Sequence, residues 1–329
     1  MKTKSKELNR RDFIRITAAG AAAVGVASSM DALGDPAPAA AKMPTRPLGK
    51  TGFSTALFSL GGQGLLEIPG HQDEAVAIIN RAIDLGVNYC DTSHYYGHGC
   101  SEEYYGTVMK TRRNEVFLAT KSAQRGYDGA MKELEMSLTR LQTDHLDCWQ
   151  LHNVRTQQDV DGIFADNGAL KAFQKARDEK ITRFIGITGH RNPYVLMDSI
   201  GRFDFDTILM AINAADPHLP GPGNESSFIQ NLLPVAVQKG MGIIGMKVPA
   251  LGKIFRPDGV TAMEQAMTYT LSHPVSTVII GIKTIPELEE NVRIAQNFKL
   301  LSALEMAQIE DLTKPYFADA TFFKRQHGY

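Results

Sequence analysis

The chain has 329 residues, 43% of them hydrophobic and 22% charged, enough apolar material for one large core and about the length of a single α/β barrel with additions. Lys plus Arg total 35 against 36 Asp plus Glu, a formal net charge of −1, so no broad positive field exists to hold nucleic acid or an anionic membrane surface. The three cysteines, Cys90, Cys100 and Cys148, form neither a CxxC pair nor an even set, which argues against a disulfide framework or a cysteine-built metal site.

The chain opens on an address. Lys2, Lys4, Lys6, Arg10, Arg11 and Arg15 face only Glu7 and Asp12, and Ile16 to Met30 follow without a charge. That uncharged run is rich in Ala and Gly and shorter than the roughly 20 apolar residues a membrane span needs. The order is that of a removable targeting segment, with no permanent membrane span. Asn9-Arg10-Arg11-Asp12-Phe13-Ile14-Arg15 resembles the twin-arginine export signal, which implies export through the twin-arginine machinery, to the periplasm. Ala37 to Ala41 offers cleavage near Ala41, and Ala27-Ser28-Ser29 is an alternative. Residues 1–41 are therefore assigned to the signal and 42–329 to one domain. Removing the signal leaves 29 cations against 32 anions, a net charge of about −3.

Beyond the signal, short β-branched or aliphatic runs alternate with longer segments of helical apolar spacing. The strand candidates are Thr55 to Leu60, Val87 to Asp91, Val116 to Thr120, Leu146 to Leu151, Phe184 to Thr188, Thr207 to Ile212, Ile243 to Met246 and Val278 to Ile282. The helices that follow them fall near Glu74 to Leu85, Glu102 to Met109, Gly129 to Leu141, Gly168 to Glu179, Tyr194 to Ile200, Phe228 to Gln238, Ala262 to Leu271 and Pro286 to Asn297, with a further C-terminal helix about Ala303 to Leu312. Eight βα units favour closure of a parallel sheet into a (β/α)8 TIM barrel over an open doubly wound sheet. Gly61-Gly62-Gln63-Gly64 lacks the spacing of a dinucleotide fingerprint and is taken as a tight turn beneath a ligand.

Barrel enzymes carry reactive side chains where strands end at the C-terminal rim. Asp91 closes the second strand, Lys121 follows the third, His152 follows the fourth, and Tyr96 lies just past Asp91. Separately, each has an ordinary explanation as a cap, a surface ammonium or a core histidine. Three consecutive strand ends make a shared site the better reading. Gly86-Val87-Asn88-Tyr89-Cys90-Asp91-Thr92-Ser93-His94-Tyr95-Tyr96-Gly97, then Ser101-Glu102 and Gly106, resembles the signature of the aldo/keto reductase superfamily, with similarity from about Arg46 to Asn297. Lys121 and His152 match the family's other two catalytic positions.

The resemblance implies an NAD- or NADP-dependent oxidoreductase that interconverts a small-molecule carbonyl and alcohol. In that mechanism Tyr96 is general acid/base, Lys121 lowers the phenol's pKa, Asp91 holds Lys121, and His152 orients the carbonyl oxygen. Tyr95 is the rival proton donor, but the register Asp-Thr-x-x-x-Tyr-Gly selects Tyr96. Gly281, Lys283, Thr284, Glu287, Glu290 and Asn291 resemble the family's last strand, phosphate loop and helix start. Thr188, Gly189 and Lys247 fall where other cofactor contacts are made. Ordinary helix physics would also place Thr284 as a cap before an acidic first turn. Thr188-Gly189-His190, Leu209 and Met246 depart from the family's commoner pattern of cofactor contacts. No metal is assigned: His94, His98 and Cys100 lack a completing carboxylate. The rival function is a nicotinamide-binding sensor or accessory subunit, separable by whether carbonyl turnover accompanies binding.

Overall fold

The computed structural model describes residues 42–325; the signal expected over residues 1–41 lies outside them. Two short strands, β1 (Thr45–Pro47) and β2 (Ser54–Ala56), pair antiparallel. Eight parallel strands then close into a barrel: β3 (Phe58–Gly64), β4 (Tyr89–Asp91), β5 (Phe117–Ser122), β6 (Leu146–Leu151), β7 (Thr182–Gly189), β8 (Thr207–Ala211), β9 (Gly242–Met246) and β10 (Thr277–Ile282). The seam is the β10–β3 pairing, from Val278 opposite Phe58 to Gly281 opposite Gly61.

The helices, in chain order, are α1 (Gln72–Asp84), α2 (Cys100–Arg112), α3 (Tyr127–Leu141), α4 (Gln157–Phe164), α5 (Ala169–Asp178), α6 (Pro193–Arg202), α7 (Phe228–Gln238), α8 (Met263–Ser272), α9 (Ile285–Gln296), α10 (Ala303–Thr313) and the single-turn α11 (Phe317–Ala320). Their apolar stripes and the outward faces of the strands form one core, in which Trp149 of β6 stacks on Phe173 of α5 at 3.6 Å. A second cluster fills the barrel interior with Tyr89, Phe117, Cys148, Leu209, Ile244, Met246 and Ile279. Leu48, from the β1–β2 hairpin, joins that cluster and is fully buried. Full burial of such side chains contributes about 1.5–3 kcal/mol each.

Three sequence expectations are corrected. Thr55 to Leu60 is two strands, because Leu57 turns the chain, donating its N–H to Pro44, between the hairpin and the barrel. Gly61-Gly62-Gln63-Gly64 is the end of β3, and its glycines permit close strand contact: a Cβ on Gly62 would lie 2.8 Å from the Asp91 carbonyl oxygen. The β6–β7 connection holds α4 as well as α5. Its sequence signal was Thr156 and Asp159, which cap each other reciprocally, Asp159 N–H donating to Thr156 Oγ1 at 3.1 Å and Thr156 N–H to Asp159 Oδ2 at 3.0 Å.

Candidate active site

A closed parallel barrel sets consecutive strand ends side by side, so Asp91, Lys121 and His152, from β4, β5 and just past β6, meet at the C-terminal rim. The chain leaves β4 through a tight 3-10 turn, Tyr96–Gly99, in which Gly97, His98 and Gly99 are all left-handed. Gly97 is required there on two counts. Its φ is 57°, and a Cβ would lie 2.2 Å from the Glu67 carbonyl oxygen. This close approach sets Tyr96 beneath the loop that follows β3.

Lys121 is fully buried, and its ammonium donates to Asp91 Oδ2 and, at 2.6 Å, to the Thr92 carbonyl. The same ammonium lies 4.7 Å from the centroid of the Tyr96 ring. Asp91, 2% exposed, is held from its other side by Gln150 Nε2 at 2.7 Å. Gln150 points inward from β6, and sequence reasoning missed it; its signal was an amide on the same strand face as Cys148, two residues before His152. The His152 ring stands edge-on to Tyr96, centroids 5.8 Å apart, with Nδ1 3.1 Å from Ser93 Oγ. Tyr95 is 52% exposed and reaches only the outer edge of His152, at 6.1 Å.

Burial pulls Lys121 down, but Asp91 and Tyr96 together outweigh it and hold the lysine above its ordinary value. Burial raises the Asp91 carboxyl against the pull of Lys121. Tyr96 departs from the expectation: burial raises the phenol, and Lys121 offsets that rise only in part, because desolvating a phenolate costs more here than one ammonium returns. His152 falls well below its usual value through burial and then through Lys121, Arg125, Lys247 and Arg155, so it is neutral at pH 7.

A cavity of about 680 Å³ opens at this rim, within the range of small-molecule and cofactor sites. Tyr96 and Asp91 line it, and so do Lys247, Gly281, Lys283, Glu287, Glu290 and Asn291. Thr188, Gly189 and Thr284 do not. Thr188 is fully buried; Gly189 backs onto Val154, where a Cβ would lie 2.7 Å from the carbonyl oxygen; Thr284 caps α9 by accepting the Glu287 N–H at 3.3 Å. The Glu287 carboxylate in turn accepts the Lys283 backbone N–H at 2.7 Å, and Glu290 pairs with Arg293 at 2.7 Å. The departures Leu209 and Met246 contribute apolar wall. His190 also lines the cavity, 7% exposed, with Nδ1 lacking a partner. Burial pushes the Lys247 ammonium down to about 8, with Glu67 the charge that opposes this.

These residues fit a dinucleotide. Gly61, Gly62, Gly64 and Gly281 bring bare backbone to the cavity surface, Lys247 offers a buried cation, and His190 an unused ring nitrogen. Among the described residues no three His, Cys, Asp or Glu side chains cluster as metal ligands, and His94 contacts Arg140 at 3.1 Å. No described helix is long and apolar enough to cross a membrane.

The model of the aldo/keto reductase family matches residues 58–254. A second model, described as the TAT signal of the ubiquitinol-cytochrome c reductase Fe-S subunit, matches residues 1–30. Among curated proteins, the uncharacterized oxidoreductase YqkF of Bacillus subtilis is 28% identical over 80% of this chain and 96% of its own length. L-galactose dehydrogenase of Arabidopsis thaliana is 28% identical over 83% of this chain and 95% of its own. The holo form of an aldo-keto reductase from Bacillus halodurans superposes with a TM-score of 0.69 at 25% identity, covering 82% of this chain and 96% of that one. With more than half of its length matched by one family model, the chain belongs to the aldo/keto reductase family and is an NAD(P)-dependent oxidoreductase.

Proposed function

We propose that the protein interconverts a carbonyl and an alcohol with Tyr96 as general acid/base, and that residues 1–41 are a twin-arginine signal that delivers residues 42–329 to the periplasm. The observation that carries the chemistry is the buried Asp91–Lys121 pair lying against the Tyr96 ring, with neutral His152 beside it. When bound in the cavity, the nicotinamide supplies or accepts the hydride. Lys247, Gly281, Lys283, Glu287, Glu290 and Asn291 would hold the nucleotide; the match over residues 1–30 supports the signal.

The division of labour follows from the local electrostatics. Tyr96, raised by burial, keeps its proton at neutral pH and has it to give to a developing alkoxide. Lys121, held charged by Asp91, limits the cost of the phenolate left behind. Ser93 accepts the Tyr95 N–H at 3.2 Å, and its own fully buried hydroxyl proton then has His152 Nδ1 as acceptor. In the tautomer that accepts this bond, His152 carries its proton on Nε2 and can donate it to a substrate oxygen. Replacing Tyr96 by Phe keeps the ring and deletes the acid. The expected result is a loss of about 10²-fold or more in turnover with nucleotide affinity unchanged. Wild-type turnover in that variant would overturn the assignment.

A further inference from the structure

The wall of the cavity formed after β9, residues 247–260, is conformationally costly. Lys247, Ala250 and Leu251 all have left-handed backbones, with φ of 60°, 47° and 55°, and Gly252 follows at 83°. Non-glycine residues persist in that region only where surrounding structure over-determines them. What over-determines this wall is the C-terminal segment. Tyr316 accepts the Val260 N–H at 3.0 Å and packs so close to Gly259 that a Cβ there would lie 2.2 Å from its hydroxyl. Asp319 pairs with Arg256 at 3.1 Å, the Arg256 guanidinium covers the Tyr316 ring at 5.1 Å, and the Phe322 ring lies under the Lys253 ammonium at 3.9 Å. Asn213 ties the two together, donating to the Lys247 carbonyl at 3.1 Å and to the Ala320 carbonyl at 3.2 Å.

The segment is itself anchored. Lys324, fully buried, lies 3.6 Å from Asp216 and 4.0 Å from the Phe228 ring centroid, and donates to the Ser226 carbonyl. Phe323 beside it is also fully buried. The far end of the segment is thus fixed in the core, while the ties that Tyr316 and Asp319 make to the wall are polar and partly exposed.

We infer that residues 316–324 are a latch that holds the Lys247–Val260 wall against a bound nucleotide, so that the latch contacts set the rate of nucleotide release. The inference rests on the reading that this cavity holds NAD(P). Strain in the wall is relieved when the latch lifts, and the wall is the part of the cavity that has such strain to release. None of the latch residues lies in the Asp91–Lys121–Tyr96–His152 cluster, so the chemical step is left untouched.

The test is the double variant Tyr316→Phe, Asp319→Asn, which deletes two polar ties and leaves the Phe322, Phe323 and Lys324 anchor in place. Release of NADPH and of NADH is followed by stopped-flow fluorescence on displacement by excess NADP, and backbone hydrogen exchange is measured on the same protein. The expected result is a release rate about 10-fold or more above wild type, with the association rate within about 2-fold. Exchange should quicken in residues 247–260 but not in β4, β5 and β6. A purely structural role would lower the melting temperature without separating those two regions. Single variants Tyr316→Phe and Lys253→Met give intermediate release rates on the same reasoning. Unchanged release with bound nucleotide, or a wall whose exchange does not respond, overturns the latch. Failure of the wild type to bind either nucleotide would instead remove the cofactor reading, and the exchange comparison would still decide whether the latch holds the wall.

Discussion

Replacing Asp91 by Asn tests the electrostatic centre of the site in isolation. The substitution preserves shape and leaves an oxygen for Gln150 Nε2, but takes away the carboxylate facing a lysine with no exposed surface. Breaking a buried pair from one side costs about 3–5 kcal/mol, since the remaining charge is uncompensated. The ceiling has an independent source. Lys121 can escape by releasing its proton, and at pH 7 that costs about 5 kcal/mol for a lysine of ordinary pKa, at 1.36 kcal/mol per pH unit. For a chain of this size roughly 2 °C of melting temperature accompanies each kcal/mol, so a fall of about 6–10 °C is expected at pH 7. The sign with pH follows. Without Asp91, burial pulls Lys121 down, its neutral form becomes cheaper as pH rises, and the gap between variant and wild type should close by more than half at pH 9. Adding Lys121→Met should recover most of the loss. The assay is thermal unfolding of the wild type, both single variants and the double variant at pH 7 and pH 9. A single variant melting within about 1 °C of wild type at pH 7, or a gap that widens with pH, would refute the reasoning.

Three further outcomes are expected. Lys247, pushed down to about 8 by burial, is charged below that pH and neutral above it; if it holds the nucleotide diphosphate, affinity should be full at pH 7 and fall by about 10-fold or more by pH 9.5. Fluorescence titration of NADH across that range checks this, and Lys247→Met should flatten the profile. Glu287→Gln removes a carboxylate from the cavity wall and should shift the NADP-to-NAD affinity ratio towards NADP by about 10-fold, or roughly 1.4 kcal/mol; a ratio within 2-fold of wild type counts against repulsion of a 2′-phosphate there. Gly106→Ala should destabilise although alanine favours helices, because a Cβ would lie 1.9 Å from the Arg140 carbonyl oxygen of α3; the expected cost is about 1–3 kcal/mol in chemical denaturation.

The sequence by itself determined the architecture and the core of the site, because both are written in local patterns. Strand and helix alternation needs only apolar spacing, so Leu146–Leu151 and Phe228–Gln238 were located to the residue. Once eight strands close in order, Asp91, Lys121 and His152 have to meet, since neighbouring strand ends share one rim. What depends on partners distant in the chain was not legible. The split at Leu57 follows from its bond to Pro44, the hold of Gln150 on Asp91 spans 59 positions, and the burial of Leu48 under the barrel joins elements that no spacing rule connects. Likewise Glu287 turns back on the Lys283 N–H, and Tyr316 and Asp319 fasten a wall about 60 residues earlier. The direction of Tyr96 belongs to the same class. A nearby ammonium can be inferred from motif order, but desolvation is a property of everything packed around the phenol, and only the tertiary structure decides that burial outweighs Lys121.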